Sequence, residues 1–117
     1  MDIDDFSFHD STILEIREFP ENQILELLLD FPVDWENNLF EHRILKFNEV
    51  INYKLSSIPF RGSPAILEIN KLGVVKYEFG SGRNAINAER NKIEIITNAG
   101  KRTIEYTTCE MMKPPNL

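Results

Sequence analysis

The stretch TILEIREFPENQILELLLDF, Thr12–Phe31, decides the fold class. In Gln23–Phe31, Leu25, Leu27, Leu29 and Phe31 fall on one side of an extended chain, because successive strand side chains point to opposite faces. Thr12–Phe19 is a second run of this kind, with apolar and charged residues interleaved. Pro20-Glu21-Asn22 separates the two with turn chemistry. Two such runs around a short turn predict a β-hairpin.

The same period recurs outward. His42–Leu55 puts Leu45, Phe47, Ile51, Tyr53 and Leu55 on one face. Glu49 interrupts that face, so a bulge or bend is expected near Asn48-Glu49. Pro32–Glu41, with Pro32, Asp34, Asn37 and Asn38, reads as a loop or a single helical turn capped by Asp34. Ser56–Pro64 carries two prolines and Gly62 and reads as a connection. Ala65–Asn70 and Val74–Phe79 predict two strands turning at Lys71-Leu72-Gly73, the second ended by Gly80-Ser81-Gly82. Arg83–Asn91 is polar and reads as a loop or short helix. Lys92–Thr97 and Arg102–Thr108 are the last runs, and Asn98-Ala99-Gly100 between them signals a tight hairpin.

Hairpins outnumber the long crossovers that parallel strands need. The chain is therefore expected to be mainly β, with α+β the alternative. The expected architecture is an antiparallel sandwich or partly open barrel of about seven strands with one or two short helical turns. It reads as a single domain over 1–117, with loose ends near 1–6 and 111–117.

Bulk properties narrow the setting. A 117-residue chain that is 42% hydrophobic and 27% charged has the make-up of one domain with a real core. The single cysteine, Cys109, cannot form an intrachain disulfide, which favours a reducing compartment. Met1–Asp10 holds four aspartates and no base, the wrong charge for the start of a signal peptide. No apolar run approaches the roughly 20 residues that span a bilayer. A cytoplasmic location is expected.

Charge is unevenly spread. Residues 1–42 hold twelve of the nineteen acidic residues and one base, Arg17; residues 43–117 hold seven acids and twelve bases. The first part carries −11 and the second +5, within a total of −6. A net acidic protein is a poor general binder of nucleic acid or anionic membrane, so neither is expected as a partner. A basic protein suits the acidic part better.

Within that part, Asp30, Asp34, Trp35, Glu36 and Glu41 combine the one tryptophan with four carboxylates in an expected loop. Two readings stand. Trp35 anchors a partner carrying Lys or Arg around an apolar notch. Otherwise it folds back to cap the sheet, with the carboxylates left in water.

Other constellations are weaker. His9-Asp10 suggests metal-dependent hydrolysis, but His42 is the only other histidine; a structural role for Asp10 or Ser11, accepting backbone N–H groups at the strand entry, is the plainer reading. Asp2, Asp4, Asp5, His9 and Asp10 could face a cation, yet lack the glycine and bidentate glutamate of a calcium loop. Neither a metal nor a cofactor is therefore expected, with His9 and Asp10 the weak metal candidates. Glu26 and Asp30 are expected on an outer strand face, where solubility explains them. A triad from Ser11, His9 or His42, and Asp10 lacks the glycines of a nucleophile elbow. Gly80-Ser81-Gly82-Arg83 lacks the rest of a phosphate loop, and Cys109 has no base beside it in sequence. No catalytic residues are assigned. The bases Arg83, Arg90, Lys92, Lys101 and Arg102 read as cross-strand partners for acidic strands.

Phe8-His9-Asp10-Ser11, the hairpin Ile13–Phe31 and the run HRILKFNEVINYKL at His42–Leu55 together resemble small β-rich bacterial proteins, some similar to immunity proteins of polymorphic toxin systems. The resemblance spans roughly residues 6–55. It implies a cytoplasmic antitoxin that neutralises its toxin by binding and needs no catalytic residue. Two other classes stay open. One is an accessory or structural domain forming a homo-oligomer, for instance a homodimer joined at an edge strand. The other is a small metal-assisted hydrolase using His9 and Asp10.

Overall fold

A computed structural model describes residues 1–115. Among these, the strands are β1 (Thr12–Phe19), β2 (Ile24–Asp34), β3 (Leu39–Asn48), β4 (Ile51–Ser57), β5 (Ile66–Phe79), β6 (Ile86–Thr97), β7 (Gly100–Tyr106) and β8 (Thr108–Met112). They form two four-stranded antiparallel sheets, ordered β1-β2-β3-β8 and β4-β7-β6-β5. The chain is mainly β, as its alternation predicts. Its helical pieces are single 3-10 turns, and the sheets do not close into a barrel.

The Thr12–Phe31 hairpin forms with Leu27 opposite Ile16 and Leu25 opposite Glu18. Leu25, Leu27 and Leu29 are fully buried, and Leu45 and Phe47 of β3 join them on the same face. From the second sheet come Ile66, Ile93, Ile95, Ile104 and Tyr106. Each fully buried aliphatic or aromatic side chain contributes about 1.5–3 kcal/mol, so this interdigitated layer is the main source of stability. Ile3 and Phe8, ahead of β1, close the core from outside the sheets.

The expected bend at Asn48-Glu49 exists, and it is sharp enough to move the chain into the other sheet. Glu49 takes φ 51° there. Thr107 makes the return crossing between β7 and β8 alongside it. The same register runs through both: Asn48 faces Thr108 before the corner and Ile51 faces Glu105 after it. Thr107 N donates to Asn48 O (3.1 Å), and Arg90 Nε donates to Glu49 O (2.7 Å). The opposite side of the sandwich is fastened by Ile13 N to Pro64 O (2.8 Å) and Ile66 N to Ser11 O (2.7 Å).

Several boundaries differ from the sequence reading. Pro32–Glu41 is not a long loop: β2 and β3 run through it, leaving a turn at Trp35–Asn38. Pro32 is tolerated because the ladder shifts register between Pro32 and Asp34, where its missing N–H matters little. Lys71-Leu72-Gly73 is not a turn but a bulge inside one fourteen-residue strand, with Gly73 at φ 101°. Arg83–Asn91 is mostly β6, entered through one 3-10 turn at Gly82–Asn84. The described residues form eight strands, in line with the about seven expected. Met111 and Met112 pair in β8 with Leu45 and Ile44; the remainder of the expected loose end includes residues 116–117, which lie outside the described residues. Among the described residues no helix is long and apolar enough to cross a membrane.

The Asn98-Ala99-Gly100 hairpin forms as expected, with Gly100 alone at positive φ (113°). A Cβ there would sit 2.1 Å from Ser56 O, whereas one at Gly73 meets nothing within 4 Å. Gly100→Ala should therefore lower unfolding free energy by about 3 kcal/mol or more, and Gly73→Ala by only about 1 kcal/mol, the backbone strain alone. Urea titration of both variants checks the difference.

Candidate functional site

Three sequence-distant pieces meet at one end of the sandwich: the His9-Asp10 segment, the start of β5 and the β2–β3 turn. Asp34 builds the turn. Its carboxylate accepts from Asn37 N (3.2 Å) and Asn37 Nδ2 (2.7 Å), and Asn38 takes φ 54° to close the reversal. This side-chain-to-backbone bonding is what Asp and Asn do in tight turns. The Asn37 side chain first, then its backbone N–H, hold the Asp34 carboxyl below the usual carboxylate range.

The turn pushes Trp35 outward. It is 53% exposed, yet one ring face lies against His9, with centroids 6.3 Å apart and planes 18° from parallel. His9 is itself fixed. Its Nδ1 donates to Leu67 O at 2.8 Å, and Nε2 lies 3.5 Å from Asp10 Oδ1. Asp10 sits at φ 67°, and its N–H donates to Ile66 O. The strand entry is shaped by these backbone bonds. The Ser11 side chain does not accept a backbone N–H: its buried hydroxyl has no hydrogen-bond partner among the described residues.

The five residues singled out in sequence are therefore not one face. Asp34, Trp35 and Glu36 share the tip. Asp30 lies on the outer face of its sheet, opposite Thr12 and His42 in the neighbouring strands. Glu41 faces Phe31 on the core side and is paired with Arg43 at 2.5 Å. Glu26 is on the outer face between Arg17 and Lys46. Asp2 and Asp4 are taken up by Lys71, at 2.7 and 2.9 Å. These hydrogen bonds hold the Lys71 ammonium above its ordinary range and the Asp2 carboxyl below it. Asp5 caps the first 3-10 turn through Asp2 N. Among the described residues no group of three or more His, Cys, Asp or Glu side chains is arranged to hold a metal. Cys109 is buried in the core, and burial first raises its thiol pKa, so it stays protonated at neutral pH. Gly82 and Arg83 form the 3-10 turn at the distal end of the β5–β6 hairpin.

The fold turns the charge asymmetry into a spatial one. Strands of the first sheet carry seven carboxylates and three bases; those of the second carry seven bases and five carboxylates. The sequence also gave no hint of a polar cluster on the outer face of the second sheet. Glu105, only 3% exposed, accepts from Tyr77 Oη at 2.5 Å and Asn52 Nδ2 at 3.3 Å. Glu105 hydrogen bonding raises the Tyr77 phenol above its ordinary pKa. Its partners come from β4 and β5, so strand pairing had to be known before they could be brought together.

Compared with family models, curated proteins and solved structures, the chain matches none.

Two outcomes follow from the bonding described. In carboxyl NMR titration Asp34 should titrate below the ordinary aspartate range, and Asn37→Ala should return it toward that range. Because the folded-state pKa is the lower one, the stability Asp34 contributes is present above its unfolded pKa and is lost as pH falls through the folded value. Tyr77→Phe should lower the urea midpoint by removing the shorter of the two side-chain bonds to the buried Glu105. In the wild type the reverse sign applies: the Tyr77 contribution is full below the ordinary tyrosine pKa and disappears as pH rises through the elevated one.

Proposed function

We propose that the protein is a non-catalytic, cytoplasmic binding protein that neutralises a basic protein partner, a toxin on the immunity-protein reading. The observation that carries this reading is Trp35: a half-exposed tryptophan braced by His9 and flanked in sequence by Asp34 and Glu36. An exposed indole whose orientation is already fixed loses little entropy on docking, and tryptophan is enriched among residues that dominate binding energy. Carboxylates around it draw a cationic partner in and set its orientation. A nuclease toxin, whose phosphate-binding site is cationic, fits that surface. Asp34, Trp35, Glu36 and Asp10 form the centre of the contact; Asp30 and Glu41 are peripheral, the latter already paired.

The test is affinity capture from lysate of the source organism at low and at high salt, with wild type and with Trp35→Ala/Asp34→Asn. Wild type should retain a basic protein that salt releases. The double variant should bind that protein about 30-fold or more weakly, corresponding to about 2 kcal/mol for a tryptophan hot spot, with its melting temperature near wild type. Equal retention by a folded double variant would remove the tip as the contact.

A further inference from the structure

The second sheet ends in a projection. β7 stops at Tyr106, opposite Asn91, so Ile86–Arg90 of β6 and Val74–Phe79 of β5 continue as a two-stranded arm. The molecule measures 58 × 33 × 24 Å, elongated as such an arm requires. One face of the arm is apolar beyond Arg90, which lies opposite Val75 next to the body: Val75, Tyr77 and Phe79 of β5 stand beside Ile86 and Ala88 of β6, with the Tyr77 and Phe79 rings stacked 5.7 Å apart. Phe79 is 49% exposed and Ile86 64%. The other face carries Lys76 and Glu78 opposite Glu89 and Asn87.

An open strand edge invites pairing, and proteins usually blunt it. β1 is bridged at its start to the segment before β5, β4 is broken by a bulge at Asn52, and β8 is five residues long. The outer edge of β5 over Val74–Phe79 is handled in none of these ways: the bulge at Gly73 precedes this segment and Gly80 follows it. A lysine there would ordinarily guard the edge, but Glu78 lies two residues beyond Lys76.

That spacing makes the segment self-complementary. Laid antiparallel against a second copy about Tyr77, Lys76 faces Glu78 of the other copy at both symmetry-related positions. Val75 faces Phe79 in the same way on the apolar side, and Tyr77 lies on the two-fold axis. Each Tyr77 leans toward its own Glu105, which leaves room between the two rings. The antiparallel arrangement sends the two sandwiches to opposite ends of the paired arms, so the bodies do not collide.

We infer that the β5–β6 arm is a homodimerisation element, in which β5 edges of two copies pair antiparallel about Tyr77 and join the second sheets into one. Such an isologous contact uses the same patch on both copies. Pairing one short edge buries less than a standard interface, so a dissociation constant of roughly micromolar order is expected. The inference does not depend on the Trp35 reading, since arm and tip share no residue.

Sedimentation velocity across the micromolar to millimolar range tests it on the full chain. Wild type should pass from monomer to dimer. Glu78→Lys and Lys76→Glu each place two like-charged pairs across the contact and should weaken dimerisation by about tenfold. Lys76→Glu/Glu78→Lys restores both opposite-charge pairs and should dimerise like wild type. An equimolar mixture of the two single variants should form the heterodimer. Circular dichroism confirms that each variant is folded. A wild type that stays monomeric throughout, single reversals that leave the dimer unchanged, or a folded double reversal that fails to recover it, would each overturn the assignment.

Discussion

The structure depends on one bent ribbon. The second half of β3 pairs with β8 and β4 pairs with β7, and the two strands turn the corner together at Asn48–Val50 and Thr107 without losing register. A sandwich needs its sheets held face to face while each keeps its own backbone ladder intact. Here one antiparallel pair serves both sheets. The main-chain groups freed at the corner are taken up locally: Asn48 O by Thr107 N, Glu49 O by Arg90, Val50 N by Gln23 O. Glu49 at φ 51° is the conformational cost of that turn, repaid by the leucine and isoleucine layers it brings into contact.

The same corner determines where charge goes. Because the chain enters the second sheet just after Asn48, the acid-rich first part stays with β1, β2 and β3, and the base-rich part fills β4 to β7. Arg43 and Lys46, the first bases after the break, remain in the acidic sheet, pairing with Glu41 and Glu110. Lys71 meanwhile draws Asp2 and Asp4 against the basic sheet. Part of the asymmetry therefore cancels internally. Of what is left, Asp34 and Glu36 flank Trp35 at the tip with no described base bonded to them, while Glu18 and Glu21 lie at the β1–β2 end.

Strand identity was legible because alternation is a local signal: Leu25, Leu27 and Leu29 needed no knowledge of their neighbours to be placed inside. Sheet membership was not. His42–Leu55 reads as one run, and it is one in hydrogen-bonding terms, yet its halves belong to different sheets because a bend changes direction and not periodicity. Lys71-Leu72-Gly73 has turn composition and forms a bulge, since a positive-φ glycine serves either purpose and the choice rests on whether β6 pairs on both sides of it. Of the site, the Asp34 cap and the exposure of Trp35 were within reach of turn chemistry. The His9–Trp35 stack was not, because it needs both the β1–β2 register, which brings the segment before β1 beside the end of β2, and the bond from His9 to Leu67 of β5.

Glu105 shows what the fold gives up for orientation. A carboxylate that is nearly fully buried costs stability unless donors meet it, and a well-packed apolar residue at the same place would often serve stability as well or better. Its donors are a phenol from the arm and an amide held at φ 50° on the edge strand β4. The phenol bond forms only when the arm leaves the body in one direction; the amide bond, between β4 and β7, holds the carboxylate in place to receive it. An arm without a third strand beside it has little else to fix that direction, since its apolar residues face solvent. The buried carboxylate therefore ties the two-stranded projection to the body through Tyr77, and a fixed direction is the property an exposed strand edge needs if it is to meet a partner in register.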